Sequence, residues 1–298
     1  MKHFLRSIPH ELKIIVLAGL LLSAIGCSRK EESSAAQSKK KLRIVSLAPS
    51  VTEMLFAIGA GDQLVGRSSV CTRPEAAKSL PVTGSFGRPS LEVIAALQPD
   101  IVIDDELSNK KSGEKIAAMG VQRATITCNT PDDIPLALSK LGRLTGHEKQ
   151  AGRLALSISA GLEKFRTSAA LKQKKSSVYL EIWDSPLWTG GKGSYISGMI
   201  AYAGGRNIGD VVRKEHFAVS PEWVIRQNPD VIACMYMAKT APASEKVMSR
   251  FGWAHVSAVK NRRVYDGFDN SLFLTPGPRV LQGIEQLRQK IHNQNDEQ

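Results

Sequence analysis

Two stretches of this chain, 130 positions apart, carry the same order of residue types. Ser90-Leu91-Glu92-Val93-Ile94-Ala95-Ala96-Leu97-Gln98-Pro99-Asp100-Ile101-Val102-Ile103 aligns with Ser220-Pro221-Glu222-Trp223-Val224-Ile225-Arg226-Gln227-Asn228-Pro229-Asp230-Val231-Ile232-Ala233, and Ser, Glu, Pro and Asp coincide. The serine suits the N-cap of a short helix, and the glutamate in the first turn meets the positive end of the helix dipole. Pro-Asp ends the helix, since proline cannot continue it, and the following run of Ile and Val makes a buried strand. One copy on each side of the middle of the chain predicts two similar α/β lobes.

The flanks extend both copies. Residues 43–47 read as a strand, Ser50-Val51-Thr52-Glu53 as a capping box opening a helix to Ile58, and 122–127 as another strand. In the second half, 178–182 read as a strand and 194–203 as a helix stopped by Gly204-Gly205; a last helix follows Pro276-Gly277-Pro278 and ends near His292. Strands alternating with helices imply parallel sheets with βαβ crossovers. Between the halves, Ala151, Leu154, Ile158, Leu162 and Phe165 recur at helical spacing, opposite Glu148, Lys149, Arg153, Glu163 and Lys164. A helix of about 22 residues spans roughly 33 Å, enough to brace two lobes. The expected layout is a lobe at 42–146, a linking helix at 147–173 and a lobe at 174–298.

Residues 1–41 do not share this grammar. Lys2, Arg6 and Lys13 lead into the apolar run 14–25. At about twelve residues it is short for a bilayer span, which needs roughly 20, and matches a secretory h-region. It ends in Leu22-Ser23-Ala24-Ile25-Gly26-Cys27, which resembles a bacterial lipobox with Ala24 where Leu is commoner. A signal peptide at 1–26, a lipid-modified Cys27 and a flexible tether over 27–41 are therefore expected. A plain cleaved signal peptide or an uncleaved anchor is the alternative. The expected location is extracytoplasmic and membrane-anchored, in the periplasm or on the outer face of the cytoplasmic membrane.

Composition removes other classes. The 298 residues are 42% hydrophobic and 23% charged, too apolar for a disordered chain and too charged for a polytopic membrane protein. The formal charge is +12, but the basic residues are scattered and no reader motif accompanies them, so nucleic acid is not an expected partner. Four cysteines at irregular spacing fit neither a disulfide scaffold nor a zinc ribbon. Cys128 and Cys234 follow apolar stretches and read as small buried hydrophobes; a disulfide among Cys71, Cys128 and Cys234 would leave one unpaired. The six histidines, His3, His10, His147, His216, His255 and His292, contain no close pair, which argues against direct capture of a transition metal. Enzyme signatures fail as well. Gly59-Ala60-Gly61 lacks the third glycine of a dinucleotide fingerprint, and Gly190-Gly191-Lys192-Gly193 lacks the spacing and hydroxyl of a phosphate loop. The chain contains no nucleophile elbow and no zincin helix. A binder is expected, with a tethered α/β hydrolase as the remote alternative. Asp104-Asp105-Glu106 follows a strand end, where α/β proteins place ligands. These acids would favour a cationic ligand, unless the segment is a solvated loop with Asn109, Lys110 and Lys111.

Arg43-Ile44-Val45-Ser46-Leu47-Ala48-Pro49-Ser50-Val51-Thr52-Glu53, Pro99-Asp100-Ile101-Val102-Ile103, Gly204-Gly205-Arg206-Asn207-Ile208 and Pro276-Gly277-Pro278-Arg279 resemble, in order, landmarks of one family. It comprises the solute-binding proteins of ABC importers for cobalamin, iron-siderophores and haem. The resemblance implies an α/β protein of two Rossmann-like lobes joined by one long backbone helix, with the ligand in the cleft between them. It implies ABC permease subunits as partners, a monomer, and neither catalytic residues nor a resident cofactor or metal. Glu92 and Glu222 match positions that dock on permease arginines. Phe86 and Trp188 match aromatics that line cobalamin clefts, and His216 stands where one such member has Trp. His216 is also the best candidate for an axial haem ligand. Asp105 and Val70 replace a cleft Trp and a cleft Tyr, Thr275 replaces a common Arg, and Cys71 lies in a loop that faces the cleft. The ligand so implied is cobalamin or another corrinoid, with an iron-siderophore or haem as the alternative.

Overall fold

Each copy of the repeat supplies one helix and one central strand of a parallel sheet. The computed structural model describes residues 41–105, 110–236 and 242–292; the expected signal peptide, Cys27 and Glu106 lie outside the described residues. The first half runs β1 (Ile44–Ser46), α1 (Pro49–Ala57), β2 (Leu64–Arg67), β3 (Gly84–Ser85), β4 (Arg88–Pro89), α2 (Leu91–Leu97), β5 (Ile101–Asp104), α3 (Lys110–Ala118), β6 (Gln122–Thr125) and α4 (Asp133–Thr145). Helix α5 (Glu148–Ala170) follows. The second half runs β7 (Ser177–Glu181), β8 (Trp183–Asp184), β9 (Leu187–Gly190), α6 (Tyr195–Tyr202), β10 (Arg206–Asn207), β11 (His216–Val219), α7 (Pro221–Gln227), β12 (Val231–Cys234), α8 (Ala243–Met248), α9 (Ser257–Lys260), β13 (Val264–Tyr265), α10 (Ser271–Leu274) and α11 (Val280–His292).

The two parallel sheets have orders β2-β1-β5-β6 and β10-β7-β12-β13, the same arrangement twice. The repeated residues explain why. Ser90 accepts the Val93 N–H at 3.3 Å and Ser220 accepts the Trp223 N–H at 3.2 Å, capping α2 and α7. Gln98 and Asn228, just before each Pro-Asp, take left-handed φ of 45° and 43° and stop both helices. The carboxylates of Asp100 and Asp230 then accept the N–H of Arg43 at 2.8 Å and of Ser177 at 2.7 Å. Each aspartate thus pins the repeat's strand beside β1 or β7.

The capping box expected at Ser50-Val51-Thr52-Glu53 is not formed. Proline can occupy the first helical position, so α1 starts at Pro49, with Ala48 as a cap that makes no side-chain bond. Glu53 turns instead to Arg279, which donates to it at 2.8 and 2.9 Å.

Helix α5 has 23 residues, roughly 34 Å. Its Ala151, Ala155, Ile158 and Leu162 join one continuous core that includes Ile44 and Leu141 from the first half and Met199 and Ile284 from the second. Leu154 and Phe165, expected on the same stripe, are only partly buried. A Cβ on Gly161 would lie 2.4 Å from Leu281 Cδ1, so glycine leaves the room in which the Leu281 side chain of α11 packs against α5. Arg166 on α5 donates to Asp132 of the first half at 2.8 Å and to the Tyr202 hydroxyl of the second at 2.5 Å. Core and polar bonds together hold the two sheets as parts of one body.

Candidate functional site

A cavity of about 820 Å³ is walled by residues from both halves. Many of them stand just past strand ends: Asp105 after β5, Ile126 to Asn129 after β6, Ile182 after β7. Carboxyl ends of strands are where open α/β sheets bind ligands, because the chain leaves the sheet there and its side chains converge. The volume lies toward the upper end for small-molecule sites.

Aromatic faces come from two small antiparallel sheets absent from the sequence expectation. Phe86 sits at the tip of the β3–β4 hairpin. The hairpin depends on Gly84, whose φ is 118° and whose added Cβ would lie 2.5 Å from the Arg88 carbonyl. In the second half, β11, β9 and β8 form a sheet in that order. Trp183 pairs directly with Trp188, and Trp188 with Ala218. Side chains alternate along a strand, so His216, two residues before Ala218, shares the face of Trp188. All four aromatic rings line the cavity. Phe86, Trp183 and Trp188 stay 42, 42 and 37% exposed, too open for the core role that strand tryptophans usually have.

The polar residues divide differently from expectation. Asp104 is not a cavity acid: it is buried beneath Arg123, which donates at 2.6 Å, and Thr125, which donates at 3.1 Å. Asp105 does line the cavity, together with Glu215 from the other half, which sequence reasoning overlooked. Cys71, expected to face the cleft, is fully buried, its Sγ directed at the Ser46 carbonyl and the Ser68 hydroxyl, and it lies off the cavity wall. The loop does face the cleft, but through its neighbour Val70. Cys128, expected in the core, is only partly buried and lines the wall; Cys234 is buried as expected. Burial, and then the charges of Asp133 and Asp105, push the Cys128 thiol up to about 12, so it stays protonated. Cys71, Cys128 and Cys234 are all free thiols. Burial lowers the His216 pKa, with nearby Glu215 opposing it, so the ring is neutral near pH 7. Thr275 also lines the wall, and behind it Arg279 grips Glu53. Among the described residues no group of three or more His, Cys, Asp or Glu is placed to hold a metal ion.

Glu92 and Glu222 are solvent-exposed in the first turns of α2 and α7 and off the cavity wall. Hydrogen bonds from their own backbone N–H groups and from the capping serines hold both carboxyls below the usual range. Phe86 precedes Glu92 by six residues and His216 precedes Glu222 by six. Extending the repeat four residues toward the N-terminus would have paired Phe86 with His216 at the same offset of 130, and would have placed Glu215 beside the site.

Comparison with known proteins agrees with this geometry. Residues 44–270 match the family model described as periplasmic binding protein. An uncharacterized ABC transporter substrate-binding lipoprotein of Bacillus subtilis, YvrC, is 31% identical over 263 residues, 85% of this chain and 81% of its own. A vitamin B12-binding protein of Pectobacterium carotovorum is 30% identical over 248 residues, covering 82% of this chain and 86% of that one. The apo structure of the periplasmic heme-binding protein RhuT of Roseiflexus superposes with a TM-score of 0.75 at 28% identity, covering 85% of this chain and 99% of that one. A family match over this span, two relatives at or above 30% identity and a shared two-sheet architecture lead to one assignment: the chain belongs to the periplasmic binding protein family.

Proposed function

We propose that this protein is the extracytoplasmic receptor of an ABC importer and that its cavity captures cobalamin or another corrinoid for delivery to the permease. The observation that carries the ligand reading is the cavity wall. Phe86 from one half and the Trp183–Trp188 pair from the other line the same large cavity, and their rings supply flat apolar area from both halves. No described cluster of side chains would coordinate a bare metal. A chelated metal brings its own coordination, so recognition falls on the organic shell, and a flat macrocycle suits aromatic stacking. The similarity to a vitamin B12-binding protein supports the same ligand.

Glu92 and Glu222 are the permease contacts in this reading. They lie six residues beyond cavity residues in symmetric segments, and ionised carboxylates at two matching points suit register and steering on a basic partner. Lipid attachment at Cys27 would keep the receptor near the permease, and the lipoprotein named among its relatives supports this. The ligand test is tryptophan fluorescence during titration with cyanocobalamin. Saturable quenching without turnover supports the reading. No quenching by cobalamin, with quenching by a ferric siderophore, transfers the site to iron chelates.

Haem is the second reading, and His216 is the observation that favours it. A neutral imidazole on the cavity wall is a competent axial ligand. A haem absorption band that disappears in His216→Ala would select it over the corrinoid.

A further inference from the structure

Among the described residues, His216 is the one histidine on the cavity wall. Its side chain is 38% exposed, and its Nδ1 lies 3.7 Å from Glu215 Oε1. A carboxylate beside Nδ1 favours the N–H tautomer there and leaves the lone pair on Nε2, the arrangement found in histidines that bind metals. Nε2 has no hydrogen-bond partner among the described residues, whereas the rings of His147 and His292 are engaged by backbone carbonyls. Burial keeps the imidazole neutral near pH 7, so the pair is available. Tyr195 and Cys128 also reach the wall. The Tyr195 hydroxyl, however, is buried and donates to the Leu272 carbonyl at 3.3 Å, and the Cys128 thiol stays protonated, its pKa pushed up to about 12.

Strand register sets where this nitrogen stands relative to a stacked ring. In the antiparallel β9–β11 ladder Ala218 pairs with Trp188, and His216 with Gly190. His216 is therefore the diagonal neighbour of Trp188 on one face, about 7–8 Å away between Cα atoms. A tetrapyrrole is wider than that, so one whose rim stacks on Trp188 carries its metal toward His216. Gly190 and Ala218 add no bulky side chain beside the imidazole. The macrocycle fills the equatorial positions of its metal and leaves the axial ones open to exchange. We infer that His216 Nε2 takes an axial position on the cobalt of the bound corrinoid, and that the receptor prefers corrinoids with a weakly held axial water. The step is a ligand exchange. The Nε2–Co bond forms, the bond from cobalt to water breaks, the water leaves intact, and cobalt keeps its oxidation state. This rests on the corrinoid reading and deepens it by naming the contact to the metal.

Two measurements on the full chain test it. Calorimetry compares aquacobinamide with dicyanocobinamide, whose axial positions are both held by cyanide. Aquacobinamide should bind at least about tenfold tighter, the loss that even an outer partner of a metal site causes when removed. His216→Phe keeps a flat ring without a nitrogen and should close that gap while still binding both. Electron paramagnetic resonance of the protein loaded with cob(II)inamide should show splitting from one axial nitrogen. The splitting should change form when the protein's histidines carry the heavy nitrogen isotope, and vanish in His216→Phe. The isotope result decides the matter even if the variant fails to fold, since His216 is the histidine on the wall. If both cobinamides bind equally tightly, or the bound cobalt shows no histidine nitrogen, axial coordination is overturned while the corrinoid reading stands. If haemin binds and neither cobinamide does, both are overturned.

Discussion

Arg279 on the segment entering α11 and Glu53 on α1 are 226 positions apart in sequence and meet behind the cavity wall. Their contact is bidentate, at 2.8 and 2.9 Å, with side chains only 23 and 7% exposed. Arg279 also donates to Asp269 at 3.2 Å and to Ser271 at 2.9 Å, and Arg73 of the first half reaches Asp269 at 3.1 Å. Arg279→Met would therefore leave Asp269 with another cation but strand Glu53. Removing one partner of a buried pair costs about 3–5 kcal/mol, because the remaining charge is desolvated without compensation. At about 2–4 °C per kcal/mol for a domain of this size, the melting temperature should fall by about 6–20 °C. Glu53→Leu with Arg279→Met removes both charges and should recover much of that loss. The assay is calorimetric melting of parent, single and double variants. A single variant melting within about 2 °C of the parent, or a double variant worse than the sum of its singles, would show that this pair does not clamp the halves together.

Trp188→Ala should weaken cobalamin binding by more than about 1 kcal/mol, since it removes stacking area as well as ring geometry; titration calorimetry reads the change directly. Glu92→Ala with Glu222→Ala should leave ligand affinity unchanged and abolish uptake, as measured by binding and by transport in reconstituted vesicles. If affinity falls instead, these residues belong to the site. Cys27→Ser should prevent incorporation of labelled palmitate and release soluble protein, and palmitate in the variant would count against the lipid anchor. Scattering curves of free and loaded protein should nearly superimpose, because α5 shares one core with both sheets; a large drop in radius of gyration would contradict that.

Much of the fold could be read from local chemistry. The capped helix, Pro-Asp stop and Ile/Val strand of each repeat contain their own start, stop and buried face, so α2, β5, α7 and β12 follow from a dozen residues each. The long helix followed from its apolar period. The small antiparallel sheets were missed because their strands are two to four residues long and too short to show alternation. The aromatics they carry could be placed only through family resemblance. Cys71 illustrates another limit: a loop can face the cleft while a given side chain turns inward, here toward Ser46 and Ser68. Glu53 was read as a local cap because its partner is 226 residues away. A pairing of that range leaves no local trace.

A corrinoid that occupies the cavity in the cell should stay with the protein through gentle purification. Mass spectrometry of the small molecule retained by protein purified gently from its native envelope, with cobalt and iron counted on the same sample, tests this most directly. The expected result is a corrinoid with cobalt approaching one per chain. Iron in place of cobalt, carried by a siderophore or haem, would contradict it.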